Sequence, residues 1–386
     1  MKNNIISYNQ PNINNSDISS VVKVLKSKSL TQGKISNLFE NAITRYTNSN
    51  HCLLFNSAST ALFAACKALN FSHKDILWTS AVSFVASSNC ALFFNSRIDF
   101  LDINLKTFNI DLGLLKKKLK ASKIKKKLPK AIVVVHLGGN PCDLKEIKKL
   151  SKKYNFKIIE DASHALGAKY KNSKIGDCKY SDMCIFSFHA IKMITTGEGG
   201  AITTRSSKIF KNLIDLNSHG ITRNIKKKNI PGWYYENYKL STNFRLTDFQ
   251  SALGLNQLKR IRLFLKKRNE ISKLYEKYLN NENICFQKID RNVFSSRHLF
   301  IILLKKGGLR DKLYTFLKKK KIDTNLHYIP IYKHPLYKRN RLYKKMKLKN
   351  SEFYYNRALS LPIHCNLKKN DILKIIGLIN LFFSNV

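Results

Sequence analysis

The chain has 386 residues, of which 44% are hydrophobic and 11% aromatic, so it can fill a sizeable core; this excludes a disordered protein and favours two domains. Lys and Arg number 70 against 24 Asp and Glu, a formal net charge of +46. The basic residues are scattered over the whole length, which is typical of a solvated basic surface. We therefore predict no specific nucleic acid partner, with a basic nucleic-acid-binding protein as the remote alternative.

The eight cysteines include no pair with the CxxC spacing of a zinc or redox site, so no metal is predicted. Free cysteines within apolar stretches suit a reducing compartment, which indicates a cytoplasmic protein. The N-terminal residues MKNNIISYNQPNINNSD lack the apolar core of a signal peptide. No stretch approaches the ~20 apolar residues of a membrane span, so no membrane contact is predicted.

The first two-thirds of the chain alternates strand-like and helix-like segments. Short apolar runs predict strands at His51–Phe55, Ile76–Ser80, Arg97–Ile103, Ala131–Leu137, Phe156–Glu160, Cys184–Phe188 and Ala201–Thr204. Capped or amphipathic segments between them predict helices at Ser57–Leu69, Ser83–Phe94 and Asp143–Tyr154. This alternation predicts an α/β fold whose mostly parallel sheet is covered on both faces.

Beyond about Asn256 the pattern changes. A Lys/Arg-rich helical pattern predicts one long helix at Gln257–Leu279. The segments after it predict a strand at His298–Leu304 and helices at Leu309–Lys319 and Lys369–Phe383. We therefore expect a large α/β domain at residues 1–255 and a smaller α+β domain at residues 256–386.

Polar residues follow several of the predicted strands. The turn Ser57–Thr60 follows the first strand, Asp161 follows Phe156–Glu160 directly, and Ser187 lies within Cys184–Phe188. Lys192 comes shortly afterwards, just before the glycine-rich sequence TTGEGG. Because ligands bind at the carboxyl ends of strands in an open α/β sheet, these side chains are expected to converge.

The same residues match the chemical needs of pyridoxal phosphate (PLP). Its phosphate suits the N–H groups and hydroxyls at a helix start such as Ser57–Thr60. A carboxylate such as Asp161 keeps the pyridine nitrogen protonated, and an amine such as Lys192 forms an imine with the aldehyde. Phe84 is the candidate ring to stack on the cofactor. Each of these residues also has a purely structural interpretation: Ser57–Thr60 as a helix cap, Asp161 as a turn residue and Lys192 as a solvated lysine. The prediction therefore depends on their joint occurrence.

The segments that carry these residues resemble the sugar aminotransferases of the DegT/DnrJ/EryC1/StrS family. The most specific matches are EDASHALGAKY at 160–170 and FSFHAIKMITTGEGGAITT at 186–204. Further matching segments occur in order at 29–33, 56–62, 83–89, 218–223, 243–250, 326–330 and 358–362. The resemblance covers nearly the whole chain and implies the type I fold of PLP-dependent aminotransferases.

The resemblance also implies roles for individual residues. It makes Lys192 the catalytic, cofactor-bearing lysine, places Asp161 beside the ring nitrogen, and places His164 near the phenolic oxygen. Asn243 matches a phosphate ligand that reaches over from the other subunit, which implies a homodimer with shared sites. The other cofactor contacts that it implies are Ala58, Ser59, Thr60, Phe84 and Ser187.

Within the family, DASHALGA, HAIKMITTGEGG and the HGITR segment most resemble the members that act in pseudaminic-acid biosynthesis. This implies transfer of an amino group from glutamate to C4 of a UDP-linked 4-keto-6-deoxy N-acetylhexosamine. Arg223 and Arg245 are candidates to face the diphosphate. Tyr234, Tyr235 and His327 are candidates for the sugar pocket, and read equally as structural aromatics and a loop histidine.

Two alternatives lie within the family. Another member could use a different nucleotide keto sugar, because the core motifs would look alike. Dehydratases of the family carry histidine in place of the lysine, and Lys192 argues against that activity.

Overall fold

The computed structural model describes residues 5–222, 230–279 and 282–385. The helices in these ranges are α1 (Asn15–Leu25), α2 (Lys34–Thr47), α3 (Ala58–Ala68), α4 (Ala86–Leu92), α5 (Leu112–Ile124), α6 (Leu144–Tyr154), α7 (Ser207–Asn217), α8 (Asp248–Lys259), α9 (Ile261–Tyr278), α10 (Arg310–Lys319), α11 (Pro335–Lys338), α12 (Arg341–Lys344), α13 (Lys349–Tyr355) and α14 (Lys369–Ser384). The strands are β1 (His51–Phe55), β2 (Ile76–Ser80), β3 (Arg97–Leu101), β4 (Ala131–Val135), β5 (Lys157–Asp161), β6 (Lys169–Tyr170), β7 (Ser173–Lys174), β8 (Met183–Ser187), β9 (Gly200–Thr204), β10 (Ile221–Thr222), β11 (Glu236–Asn237), β12 (Ile284–Phe286), β13 (Val293–Phe294), β14 (Phe300–Leu304) and β15 (Ala358–Leu361).

A seven-stranded sheet is formed by strands between residues 51 and 204, in the order β1-β9-β8-β5-β4-β2-β3. The neighbours from β8 to β3 are parallel, whereas β9 runs antiparallel to both β1 and β8. This confirms the predicted α/β fold with a mostly parallel sheet. The antiparallel strand β9 sends the chain straight back beside β8, without a crossover helix.

Both faces of the sheet are buried, as β4 shows most clearly. Its alternate residues Ile132 and Val134 belong to one hydrophobic cluster, and Ala131 and Val133 belong to a second cluster on the opposite face. A five-residue run of apolar, mostly β-branched side chains is therefore buried throughout. The helices around the sheet hold its strand ends in fixed positions, where the candidate site lies.

The C-terminal part contains the three-stranded antiparallel sheet β12-β14-β15, packed with α9, α10 and α14 around a core of its own. The prediction of one helix at Gln257–Leu279 was wrong, because the chain breaks at Arg260 between α8 and α9. The guanidinium of Arg260 is anchored by the carboxylate of Asp17 and by Asn12, a tertiary contact that helical periodicity does not reveal. The predicted domain boundary at 255/256 falls inside α8 and stays a prediction.

No helix in the described part of the chain is both long enough and apolar enough to cross a membrane.

A carboxylate of α2 provides a test of how burial affects stability. Glu40 Oε1 accepts a hydrogen bond from Leu54 N of β1 at 3.0 Å, and burial raises the pKa of Glu40 to about 7. Because this pKa lies above its value in the unfolded chain, the side chain favours folding below about pH 4.5. That contribution is lost as the pH rises through about 7.

We expect Glu40→Gln, which keeps the acceptor oxygen but never ionises, to be more stable than the wild type at pH 8. The expected gain is roughly 1–2 kcal/mol after allowance for partial solvent exposure, and it should fall to a small fraction of that at pH 5. Urea unfolding at both pH values measures it, with Glu270→Gln on the exposed face of α9 as the matched control. An equal change at pH 5 and pH 8 would contradict the proposed role of ionisation.

Candidate active site

A cavity of about 380 Å³ lies at the carboxyl ends of β5 and β8, beside the N-terminus of α3. This is the edge of the sheet at which the sequence predicted a ligand site. The predicted site residues that line the cavity are Ala58, Ser59, Phe84, Asp161, His164, Ser187, Lys192 and His327. The fold therefore brings together residues from five separate regions of the chain.

Asp161 is the last residue of β5, and its carboxylate is almost fully buried. Ser87 Oγ donates to Asp161 Oδ2 at 2.6 Å, and Ser163 N donates to Oδ1 at 3.1 Å. Ser83 Oγ lies 2.8 Å from Ser87 Oγ, and since the Ser87 proton is directed to Asp161, Ser83 donates to Ser87. These donors hold the carboxylate in one orientation.

The preceding residue, Glu160, belongs to the opposite face of the sheet because successive side chains of a strand alternate. Its Oε2 lies 2.8 Å from His136 Nε2, and both side chains are buried. His136 Nδ1 accepts from Cys142 N at 3.1 Å, so the ring proton is on Nε2 and is donated to Glu160. Glu160 thus has a structural role, and Asp161 is the carboxylate available to the cavity.

Lys192 lies in the connection between the antiparallel strands β8 and β9. The backbone of this connection is held by bonds from Phe188 N to Gly199 O at 2.8 Å, from Thr196 N to Phe188 O at 2.9 Å and from Lys192 N to His189 O at 2.9 Å. Burial lowers the pKa of the Lys192 amine to about 8, against a smaller opposing effect of Asp161. Near that pH, half of the amine is neutral and able to act as a nucleophile or base.

The N-terminus of α3 forms the side of the cavity next to β9. Ser57 is the N-cap residue, and its Oγ accepts from Thr60 N at 3.1 Å. Gly200 permits this arrangement, because a Cβ at that position would lie 2.6 Å from Ala58 N. The N–H groups of the first turn, with the Ser59 side chain, thereby face a site suited to an anion.

Thr60 and Phe84 differ in how they relate to the cavity. The Thr60 hydroxyl lies 2.7 Å from Asn56 Oδ1 and 2.9 Å from Ser57 O, and Thr60 is not among the described residues that line the cavity. Its predicted phosphate contact stays a prediction. Phe84 lines the cavity two residues before α4 begins and is 55% exposed, which leaves part of its ring open to a ligand.

Three histidines cluster beside Lys192. The ring centroid of His164 lies 4.6 Å from that of His298 and 6.5 Å from that of His327. His327 Nδ1 lies 2.9 Å from Ser360 Oγ, and its Nε2 lies 3.2 Å from the Tyr8 hydroxyl. Burial, with a smaller contribution from Lys192, lowers the pKa of His327 to about 3 and that of His164 well below its ordinary value. The cluster is therefore neutral at physiological pH.

The remaining predicted residues do not line this cavity among the described residues. Tyr234 O–H donates to Glu236 Oε1 at 2.9 Å, and Tyr235 is more than half exposed. Arg245 binds the Ser218 hydroxyl through its guanidinium, and Arg245 N donates to Asn243 Oδ1 at 3.1 Å. These four positions, Tyr234, Tyr235, Asn243 and Arg245, keep their predicted roles as predictions. Arg223 lies outside the described residues.

Ser87 and Tyr328 are among the residues of the site that sequence reasoning did not find. Ser87 donates to Asp161, and Tyr328 lines the cavity with its hydroxyl 3.1 Å from His164 Nε2. Both lie within segments that carry the family resemblance, SFVASSN and LHYIP. Tyr328 directly follows the predicted residue His327, and this adjacency is a signal that could have indicated it.

The donor set of the cavity fits pyridoxal phosphate. A buried carboxylate, an amine with a lowered pKa, a helix N-terminus and a partly open aromatic ring each match one part of that molecule. Asp161 would hold the pyridine nitrogen, Lys192 the aldehyde carbon, the first turn of α3 the phosphate, and Phe84 the face of the ring.

Comparisons with known proteins agree with this chemistry. The sequence model of the DegT/DnrJ/EryC1/StrS aminotransferase family matches residues 11–380. A UDP-4-amino-4,6-dideoxy-N-acetyl-beta-L-altrosamine transaminase of Campylobacter jejuni is 39% identical over 371 residues, 95% of this chain and 94% of that protein. Among solved structures, Helicobacter pylori PseC, an aminotransferase involved in the biosynthesis of pseudoaminic acid, has a TM-score of 0.89 at 34% identity, covering 99% of this chain and 100% of that chain. The PLP form of Spr1654 from Streptococcus pneumoniae has a TM-score of 0.88 at 26% identity, covering 99% of each chain.

Proposed function

The chain belongs to the DegT/DnrJ/EryC1/StrS aminotransferase family and is a PLP-dependent aminotransferase, and on that basis we propose its substrate and reaction. The amino group passes from glutamate to C4 of a UDP-linked 4-keto-6-deoxy N-acetylhexosamine. The product is UDP-4-amino-4,6-dideoxy-N-acetyl-β-L-altrosamine, a step of pseudaminic-acid biosynthesis. The names of relatives that match over nearly the whole chain support this substrate.

One observation carries the reaction type. Asp161 and Lys192 come from different strand ends and line a single cavity beside the N-terminus of α3. Bound PLP supplies an aldehyde that carries the amino group and a cationic ring that withdraws electrons from it.

Each protein group then has a defined task. The neutral amine of Lys192 removes a proton from the α-carbon of glutamate and later delivers a proton to C4 of the sugar. Asp161, fixed by Ser87, keeps a positive charge at the pyridine nitrogen. The first turn of α3 holds the phosphate, so that the reacting atoms stay within reach of Lys192.

We also propose that the protein works as a cytoplasmic homodimer with sites shared between subunits. The segment that includes Asn243 carries several exposed apolar side chains, Trp233 at 73%, Tyr238 at 68% and Leu240 at 85% exposure. Apolar side chains grouped on a surface are typical of a subunit interface. The cysteines of the chain are free and most of them are buried, which suits the reducing cytoplasm.

The test is amination of a panel of keto sugars, followed by mass spectrometry of the product. With glutamate as donor, we expect the UDP-linked 4-keto N-acetylhexosamine to gain an amino group at least about tenfold faster than other nucleotide-linked 4-keto or 3-keto sugars. That ratio corresponds to about 1.4 kcal/mol of discrimination in the transition state.

Glutamine replaces glutamate in a parallel series, so that the donor is tested separately. Faster amination of a different nucleotide sugar would overturn the proposed substrate and leave the aminotransferase activity intact. The absence of amination of every sugar in the panel, with PLP bound, would overturn both.

A further inference from the structure

Tyr328 connects two residues of the cavity that the family resemblance assigns to the cofactor. Its hydroxyl oxygen lies 3.1 Å from His164 Nε2, and its ring is nearly parallel to that of His164, with an interplanar angle of 14°. Its ring centroid also lies 6.1 Å from that of Phe84. All three side chains line the cavity.

The direction of the hydrogen bond depends on which ring nitrogen of His164 carries the proton. A phenol has one proton to donate, and a neutral imidazole has one nitrogen whose lone pair can accept it. Burial is the main cause that lowers the pKa of His164 well below its ordinary value. Burial is also the main cause that raises the pKa of Tyr328 well above its ordinary value. The imidazole of His164 is therefore neutral, and the phenol of Tyr328 keeps its proton. With both groups neutral, Tyr328 can donate its proton to Nε2, which requires the ring proton of His164 to be on Nδ1.

Other contacts fix the position of His164 but not its proton. Ser296 Oγ donates to the backbone oxygen of His164 at 2.6 Å, and the His298 ring packs against the His164 ring with centroids 4.6 Å apart. Neither contact involves a ring nitrogen of His164. Among the described residues, the hydroxyl of Tyr328 is the group that forms a hydrogen bond with the imidazole.

We propose that Tyr328 is a positioning residue that holds His164 as its Nδ1–H tautomer, so that the ring offers a donor to the phenolic oxygen of the cofactor. The proposal rests on the proposed function, because it uses the position beside that oxygen which the family resemblance gives to His164. An ionised phenolic oxygen accepts hydrogen bonds, so a donor stabilises it and a lone pair repels it.

The tautomer can be measured directly in the full-length chain labelled with ¹⁵N-histidine, by long-range ¹H–¹⁵N NMR without added cofactor. Loss of signals in His164→Gln assigns the resonances of His164. We expect Nδ1 of His164 to be the protonated nitrogen, and Tyr328→Phe to move the ring towards the Nε2–H form. Tyr8→Phe is the matched control, because it removes a hydroxyl from His327 and should leave the signals of His164 unchanged.

A wild-type spectrum in which His164 carries its proton on Nε2 would overturn the proposal, even if the variant failed to fold. So would an unchanged Nδ1–H tautomer in folded Tyr328→Phe. Neither result depends on which sugar is aminated, so this test fails or succeeds independently of the proposed function.

A second readout is the affinity for PLP in a double-mutant cycle. Tyr328→Phe should weaken PLP binding about fivefold, as expected for one neutral hydrogen bond, and the same change in His164→Gln should have less than about a twofold effect. A full fivefold loss in the His164→Gln background would show that Tyr328 acts independently of His164 and would overturn the proposal.

Discussion

Replacement of Lys192 by alanine is expected to lower the rate of amino transfer by at least about 10³-fold, within the range that a positioned acid–base group contributes. The variant lacks the amine that bonds to the cofactor and the base that moves the proton. The visible absorbance of lysine-bound PLP should disappear as well. Stopped-flow absorbance and product mass measure the two effects separately.

Lys192→Arg is the matched control for charge. Arginine keeps a cation at the same place but stays protonated at all accessible pH values, so it should be as inactive as alanine. Lys152→Ala, on the exposed side of α6, controls for loss of a lysine elsewhere and should keep wild-type activity. Turnover within tenfold of the wild type in either Lys192 variant would remove Lys192 from its role.

Replacement of Asp161 by asparagine is expected to lower kcat by about 10³-fold while the fold is kept. The amide keeps one oxygen, which can accept from either Ser87 or Ser163, but it loses the charge that stabilises a protonated ring nitrogen. Two opposite unit charges 4 Å apart at an effective dielectric constant of 20 interact by about 4 kcal/mol, which corresponds to about 10³-fold in rate. Steady-state kinetics with glutamate and the keto sugar measure the loss.

Asp99→Asn is the control for this experiment, because Asp99 lies on β3 outside the cavity and forms an ion pair with Lys118 of α5. We expect it to leave kcat unchanged. A thermal melt of Asp161→Asn within a few degrees of the wild type shows that the loss is chemical. Activity of Asp161→Asn within tenfold of the wild type would mean that another group protonates the ring.

The local sequence was enough to predict the elements of the central sheet and the convergence of Asp161 and Lys192. Buried strands such as Ala131–Val135 have uninterrupted apolar runs, and parallel strands present their carboxyl ends at one edge. The polar residues at these ends and just after them were therefore expected to converge. The same reasoning could not show that β9 is antiparallel, because strand direction depends on which distant strands pair.

The histidine cluster and the break at Arg260 were also beyond the sequence pattern. His164 and Tyr328 are 164 positions apart, and Arg260 meets Asp17 across 243 positions, so each contact exists only after the chain has folded. A lone histidine or arginine carries no local signal of such a partner. Family resemblance supplied the position of His164 but not the hydroxyl next to it.

The reversal of the chain between β8 and β9 restricts how the reactive amine can move. Both ends of the connection are anchored in neighbouring strands, and its own backbone bonds tie residue 188 to residues 196 and 199. Displacement of the main chain would break hydrogen bonds between β8 and β9 as well as those of the turn. Main-chain movement is therefore energetically unfavourable during the reaction. The Lys192 amine therefore moves between the two carbons by rotation about the bonds of its four-carbon side chain. Such rotations take picoseconds to nanoseconds where a side chain is free to rotate.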